Sequence, residues 1–201
     1  AGGIPSFKMV RGYHHATCIS INEEVVHGIP TPRKIKQRDL VSIDVGIYYQ
    51  GFHTDTSTSV RAGEKDDLFL RVGRSALKLA IAKATPGNRV ADISKVIQDT
   101  VESTGYSVVR ALTGHGIGRN LHEEPAIPCF VMGKREDTPK LVPGMVIAVE
   151  IMYNQGESDV AYKNDDGWTI ATADGKISGL FEETVAITNR GPVILTRSNA
   201  K

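Results

Sequence analysis

The chain has 201 residues, of which 40% are hydrophobic and 23% charged, a composition that is typical of a globular protein and excludes an intrinsically disordered one. Its 24 lysines and arginines nearly balance its 23 aspartates and glutamates, so specific binding to nucleic acid or to an anionic membrane is not expected. Because Cys18 and Cys129 have neither a C-x-x-C nor a disulfide-framework spacing, and no stretch approaches the roughly 18 apolar residues of a membrane span, we expect a cytoplasmic protein with free thiols.

The first predicted elements are strands. The apolar pattern predicts a short strand near Cys18, followed by a turn at Gly28. A β-hairpin follows, with one strand at residues 40–49, a turn at residues 50–51 and a return strand through residues 52–60.

Two amphipathic helices are predicted next, within residues 66–105. Apolar residues recur at helical spacing over residues 69–84 and again over residues 90–101. Each stretch is followed by glycine or by proline and glycine, which end helices. Each helix therefore has one face that can pack on a core.

From residue 106 the pattern changes to strands and loops. The apolar segments predict strands at residues 106–112, 145–153, 168–172, 180–188 and 192–196, with a glycine-rich turn between the first two. Loops rich in Gly, Pro, Asp and Lys at residues 131–143 and 154–167 are expected on the surface. Strands on either side of a helix pair predict an α+β fold, and we expect residues 1–201 to form a single domain.

Two aspartates lie inside the apolar hairpin. If the hairpin turns tightly at residues 50–51, residues whose numbers sum to 101 are partners, so Asp44 lies opposite Ser57 and Asp55 points to the same face. One alternative is that one aspartate caps a turn and the other forms a salt bridge with a lysine. The other is a shared cation, because like charges at this separation repel unless a cation lies between them.

Three further residues favour the cation. Glu150 and Glu182 interrupt apolar strands, and His115 lies between glycines in "TGHGIGRN". Carboxylate oxygens with one imidazole suit divalent transition metals, and two such ions would cancel four carboxylate charges. A single calcium ion is the alternative, although calcium loops usually draw their ligands from one short segment. We favour a dinuclear centre, which can activate a water molecule and polarise a carbonyl for amide hydrolysis.

Five other histidines and one glycine-rich motif stand out in the sequence. His27 in "VVHGIP" and His122 in "LHEEP" lie near the proposed site in the sequence pattern, and either ring could donate a hydrogen bond to a developing oxyanion or to the scissile amide nitrogen. His14, His15 and His53 receive no role. The "GHGIGR" glycines are only a weak nucleotide-binding signal, because a third glycine at the required spacing is missing.

The ordered motifs resemble those of the methionine aminopeptidases, type I in particular. The resemblance covers residues 12–195 and rests on "GYH", "CISINEEVVHGIP", "IDVG", "GFHTDTS", "GHGIGRNLHEEP", "LVPGMVIAVEIM", "DGWT" and "FEETVAIT". It implies the pita-bread fold, with two pseudo-symmetric halves around a dinuclear site. It also implies a hydrolase that removes the initiator methionine from nascent chains.

The resemblance further implies the roles of individual residues. The two metal ions, cobalt, manganese, iron or zinc, would be bound by Asp44, Asp55, His115, Glu150 and Glu182, with Asp55 and Glu182 bridging. His27 and His122 would bind substrate and stabilise the tetrahedral intermediate, and Tyr13, Cys18 and Trp168 would line the methionine side-chain pocket. The expected partners are N-terminal methionines that precede a small residue, with the ribosome as a further candidate, and a monomer is expected.

The mechanism that follows is attack of a metal-bridging hydroxide on the carbonyl of the N-terminal methionine. Glu150 would carry the proton to the leaving amine, His122 would stabilise the oxyanion and His27 would bind the scissile amide. The alternatives are an X-Pro aminopeptidase or prolidase of the same fold, against which "HGIP" and "HEEP" argue, and a non-catalytic pita-bread module that binds proteins.

The chain departs from the family pattern at four places, one of which is a shorter stretch between Tyr13 and Cys18. Leu121 stands where an aromatic residue is common, so the methionine pocket loses a ring. Glu183 stands where histidine is usual and is expected to add an acid close to the metals. The family's opening helix pair has no counterpart before residue 12, so one half of the fold is expected to lack its helical cover.

Overall fold

The computed structural model describes residues 2–64 and 67–197. Within these ranges the chain forms two α-helices, α1 (Leu68–Lys83) and α2 (Val90–Glu102). Its strands are β1 (Ile4–Pro5), β2 (Cys18–Ile21), β3 (Glu24–Val26), β4 (Leu40–Tyr49), β5 (Phe52–Arg61), β6 (Ser107–Val108), β7 (Thr113–Gly116), β8 (Glu123–Pro128), β9 (Val146–Asn154), β10 (Val160–Tyr162), β11 (Ile170–Thr172), β12 (Ser178–Thr188) and β13 (Gly191–Ile194).

The strands form two antiparallel sheets. Ten of them make a large sheet whose main path is β1-β4-β5-β12-β9-β7-β8, with β2, β6 and β13 pairing with β4, β9 and β12. A small sheet of three strands has the order β10-β11-β3. The predicted α+β fold is confirmed. The helix pair matches its predicted position, except that residue 66, the first of the expected range, lies outside the described residues.

The β4–β5 hairpin has the predicted register. Gln50 and Gly51 have φ angles of 48° and 90°, which is the left-handed backbone that a two-residue hairpin turn of type I′ requires. Residues whose numbers sum to 101 are partners, as predicted, so that Asp44 lies opposite Ser57 and Tyr49 lies opposite Phe52. The turn therefore fixes which side chains share a face of the sheet.

Both helices lie on one side of the large sheet, which we call the outer face. The Phe69 ring of α1 stacks on the Tyr153 ring of β9 at 4.3 Å, and the Tyr153 hydroxyl donates a 2.6 Å hydrogen bond to the Phe69 carbonyl. A Cβ at Gly73 of α1 would lie 2.5 Å from the Phe181 ring of β12. Close packing of this helix on β9 and β12 therefore requires glycine at that position.

The outer face of β4 and β5 has no helix on it among the described residues. Its apolar side chains are exposed, including Ile43, Ile47 and Tyr49 of β4 and Phe52 and Val60 of β5. Within the described ranges the helices thus pack on β9, β12, β6 and β8 and leave β4 and β5 uncovered, in agreement with the expected lack of one helix pair.

The structure differs from the sequence expectations at several places. The predicted strand at residues 106–112 is reduced to β6, and strands β3 and β8 were not predicted. The expected glycine-rich turn contains strand β7, because Gly114 and Gly116 let the neighbouring backbones come close. A Cβ at these positions would lie 2.5 Å from the Ala148 carbonyl and 2.2 Å from the Glu124 carbonyl, respectively. In addition, β10 lies inside the expected loop at residues 154–167 and completes the small sheet.

No helix in the part of the chain that the structure describes is long and apolar enough to cross a membrane.

Candidate metal centre

A row of polar side chains crosses the face of the large sheet opposite to the helices, which we call the inner face. Asp44 on β4 is opposite Ser57 on β5, Ser57 is opposite Glu182 on β12, and Glu182 is opposite Glu150 on β9. Cross-strand partners share a face of the sheet. Three carboxylates from three strands therefore converge in this row.

A second row adds the other two candidate ligands. Asp55 is two residues from Ser57 on β5, so it has the same orientation. His115 on β7 is opposite Ala148, two residues before Glu150 on β9. The structure thus brings all five predicted ligands together on the inner face.

The ligand atoms lie close to one another. One ligand atom each from Asp55, His115 and Glu182 lies within 4.8 Å of the others. His115 Nε2 lies 3.6 Å from Glu150 Oε1. The Asp44 Oδ1 atom is buried and has no hydrogen-bond partner in the structure, which is costly for a carboxylate oxygen unless a cation or another donor is present.

The charges of these carboxylates oppose one another. Burial raises the pKa of Asp44, Glu150 and Glu182 well above the ordinary range, and the nearby charge of Asp55 raises it further. Burial raises the pKa of Asp55 itself to about 7. Among residues 2–64 and 67–197, no ion pair joins these four groups to a lysine or an arginine. The salt-bridge alternative is therefore not favoured.

His115 has the tautomer and the charge state that a metal ligand would need. Its Nδ1 lies 2.8 Å from the Gly116 carbonyl oxygen, which only accepts, so Nδ1 carries the proton. Nε2, on the side of Glu150, keeps its lone pair. Burial lowers the pKa of His115 to about 4, so the ring is neutral near pH 7. Four carboxylate groups and one neutral imidazole are a suitable ligand set for divalent transition-metal ions.

An apolar pocket adjoins the carboxylates in the same cavity, which has a volume of about 110 Å³. All of the predicted site residues line this cavity, namely Tyr13, Cys18, His27, Asp44, Asp55, His115, His122, Glu150, Trp168 and Glu182. Sequence reasoning missed Phe7, Val10 and Val26, which also line it. Phe7 and Val10 lie in and after a single 3₁₀ turn, where no periodic pattern marks the side that faces the pocket.

The pocket wall is aromatic and contains sulfur. The Tyr13 and Trp168 rings meet edge to face at 5.1 Å, and the Tyr13 hydroxyl lies 3.2 Å from Cys18 Sγ. Burial raises the pKa of the Cys18 thiol, so it stays protonated near pH 7. Leu121, the aliphatic departure from the family pattern, completes this wall.

The two histidines that are not candidate ligands lie at different depths. His27 is half-buried, and it has a left-handed φ of 59°. His122 is exposed, and its ring contacts the His115 ring edge to face at 4.5 Å. Burial lowers the pKa of both rings. Both are therefore neutral near pH 7 and can donate one hydrogen bond without carrying a charge.

Glu183 does not lie on the inner face with Glu182. Side chains alternate along β12, and the Glu183 carboxylate accepts a hydrogen bond from the Thr196 hydroxyl. The charge of Glu183 nevertheless raises the pKa of Glu182, so the predicted acid acts on this candidate ligand from the opposite face of the strand. His53, which received no role, is buried and hydrogen-bonded to Ser6 at 2.9 Å.

Comparison with known proteins places this geometry in a family. The model of Metallopeptidase family M24 matches residues 5–189. The chain belongs to this family. It is 46% identical to the methionine aminopeptidase of Clostridium perfringens over 97% of this chain and 78% of that protein. It is 44% identical to methionine aminopeptidase 1 of Bacillus subtilis, over 98% and 79%.

Solved structures agree with the family assignment. The methionine aminopeptidase of Thermotoga maritima superimposes with a TM-score of 0.92 at 44% identity, covering 98% of this chain and 79% of that one. The prolidase of Pyrococcus furiosus superimposes with a TM-score of 0.70 at 24% identity, covering 92% and 49%. This M24 chain thus has the pita-bread fold, and its likeness to prolidase extends to the fold alone.

Proposed function

We propose that this M24 chain is a metal-dependent aminopeptidase that removes N-terminal methionine from proteins and peptides. The observation that carries the proposal is the single cavity in which five potential metal ligands adjoin an apolar, sulfur-containing pocket. The relatives that are named methionine aminopeptidase support this substrate over an X-Pro peptide. Residues 1–201 would act as one catalytic domain.

Asp44, Asp55, His115, Glu150 and Glu182 would hold two divalent ions, because two such ions balance the four carboxylate charges. Bound ions of this kind supply an activated water molecule and polarise a carbonyl. The unpartnered Asp44 Oδ1 and the lone pair of His115 Nε2 are the donor atoms that most need a cation. Cobalt, manganese, iron and zinc all suit this donor set.

The remaining residues of the cavity would bind and orient the substrate. Tyr13, Cys18 and Trp168 would surround the methionine side chain, whose thioether makes favourable contacts with aromatic rings. His27 would donate a hydrogen bond to the scissile amide, and His122 would stabilise the developing oxyanion. Both rings can donate these hydrogen bonds in their neutral form.

Glu150 would handle the proton. Burial and the Asp55 charge raise the pKa of Glu150 above that of an ordinary glutamate. It is therefore a stronger base, which can accept a proton and pass it to the leaving amine. Its position on β9, beside His115 Nε2, keeps it within the ligand cluster. Donors that are already oriented around the pocket reduce the reorganisation that the reaction would otherwise need.

Metal analysis of the purified protein, combined with a methionyl-peptide assay before and after chelation, tests the proposal. We expect turnover of Met-Gly peptides that chelation abolishes and a divalent ion restores, with no turnover of Gly-Pro peptides. Glu182→Ala should lose both metal and activity, whereas Glu183→Ala, one residue away on the opposite face, should keep both. Turnover that survives chelation, or equal effects of the two substitutions, would refute the proposal.

A further inference from the structure

A buried ion cluster lies beside the pocket and outside the metal centre. Glu24 on β3 is only 2% exposed, and each of its carboxylate oxygens has two partners. Oε1 accepts from Arg33 Nη1 at 2.7 Å and from Lys163 Nζ at 3.2 Å. Oε2 accepts from the Ile21 N–H at 2.8 Å and from Arg33 Nη2. The carboxylate thus accepts four hydrogen bonds, all of them from chain segments near the pocket.

The Arg33 partner closes the segment that carries His27. The ion pair between Glu24 and Arg33 joins the two ends of residues 24–33, and Arg33 Nη2 also donates to the Ile19 carbonyl at 3.2 Å. Within this segment His27 keeps a left-handed φ. A non-glycine residue adopts that conformation only where the surroundings hold it.

The Lys163 partner closes the segment that carries Trp168. The Lys163 N–H donates to the Thr169 carbonyl at 2.7 Å, so residues 163–169 form a loop whose base is tied to Glu24. Asp166 Oδ1 accepts the Trp168 N–H at 2.8 Å inside this loop. The same carboxylate therefore anchors both segments, although they are far apart in the sequence.

We propose that Glu24 is a positioning residue that holds His27 and Trp168 in a fixed relation across the substrate pocket. It contacts neither the reacting atoms nor the candidate metal ligands, which lie on the other sheet. Glu24 acts through two separate tethers, Arg33 for the histidine and Lys163 for the tryptophan. The kinetic part of this inference rests on the proposed aminopeptidase function.

The charge of Glu24 is what the tethers require. Burial alone would raise the pKa of Glu24, but the hydrogen bonds from Arg33 and from the Ile21 N–H outweigh it and the pKa lies below the ordinary value. In either orientation, glutamine would turn its amide N–H group towards Arg33 and one further donor, Lys163 or the Ile21 N–H, which is the wrong polarity. Glu23 is a matched control, because it is adjacent and also pairs with Lys163, at 2.6 Å, but its side chain is 35% exposed.

Because the chain has a single tryptophan, its fluorescence reports on Trp168 directly. Glu24→Gln should shift the emission to longer wavelength and lower kcat/KM for a methionyl peptide by about tenfold to a hundredfold, with the metal content unchanged. Glu23→Gln weakens only a partly exposed contact of Lys163 and leaves the Arg33 tether intact, so it should shift the emission less than Glu24→Gln does and leave kcat at the wild-type value. A Glu24→Gln protein that is less stable, yet has wild-type emission and kinetics when folded, would overturn the proposal.

Two tether variants keep the test decisive if Glu24→Gln does not fold. Arg33→Met should lower kcat with little change in emission, because it releases the His27 segment. Lys163→Met should raise KM and shift the emission, because it releases the Trp168 loop. Identical profiles for the two would overturn the inference. If the wild-type protein does not cleave methionyl peptides, the proposed function fails, while the emission measurements still test the positioning.

Discussion

Asp55→Asn removes one of the opposed charges of the inner face without changing the shape of the side chain. Burial raises the pKa of Asp55 from its ordinary 3.8 to about 7. At about 1.4 kcal/mol per pKa unit, ionisation of this group costs the folded, metal-free protein roughly 4 kcal/mol once the pH exceeds 7. Asparagine avoids this cost, so the metal-free variant should be more stable than the wild type.

The sign follows from proton binding. A carboxyl group with a raised pKa binds more protons in the folded than in the unfolded state, so the free energy of unfolding falls as the pH rises from about 4 to about 7. The advantage of Asp55→Asn should thus be roughly 4 kcal/mol near pH 8 and roughly 2 kcal/mol near pH 5. Loss of the Asp55 charge also relieves Asp44, Glu150 and Glu182, which acts in the same direction.

Urea unfolding of the chelated proteins near pH 5 and near pH 8 measures this difference. Ser57→Ala is the matched control, since its buried hydroxyl lies in the same row but carries no charge. Its effect should not depend on pH. Addition of divalent metal should reverse the order, because the wild type gains binding free energy that the variant lacks. A chelated Asp55→Asn protein that is less stable than the wild type near pH 8 would refute the reasoning.

Three further substitutions separate catalysis, substrate binding and stability. His27→Ala should lower kcat by about a hundredfold or more with the metal content unchanged, and loss of metal would contradict its assignment. Leu121→Ala should raise KM for a methionyl peptide about tenfold and leave kcat unchanged, because it removes a contact with the methionine side chain. An unchanged KM would contradict a role of Leu121 in the pocket. Tyr153→Phe should cost about 1 kcal/mol of stability through the lost hydrogen bond to the Phe69 carbonyl, with no kinetic effect.

The sequence predicts the part of the site that local rules determine. The turn at residues 50–51 fixes the β4–β5 register, and alternation then puts Asp44 and Asp55 on one face. Charges inside otherwise apolar strands mark Glu150 and Glu182 in the same way. In each case the information lies within about ten residues, which is the range over which strand period and turn chemistry act.

Most of the small sheet could not be predicted from such local patterns. Strand β3 has only three residues and includes a glutamate that is fully buried, so its sequence has no alternation to detect. Glu24 is compatible with burial only because Lys163, 139 residues further along the chain, and Arg33 reach it in the folded protein. No local pattern encodes a contact of that sequence separation.

The two sheets give the site two kinds of support that can be disturbed independently. The candidate metal ligands on the large sheet are positioned by strand pairing, so changing their charge should alter the pH dependence of stability while the backbone register remains. His27 and Trp168 depend on segments of the small sheet and its loops, which Glu24 joins by ion pairs. Charge loss at Asp55 should therefore leave Trp168 emission unchanged, and charge loss at Glu24 should leave metal binding unchanged. Coupling between these two measurements would mean that metal ligands and substrate contacts move as one unit.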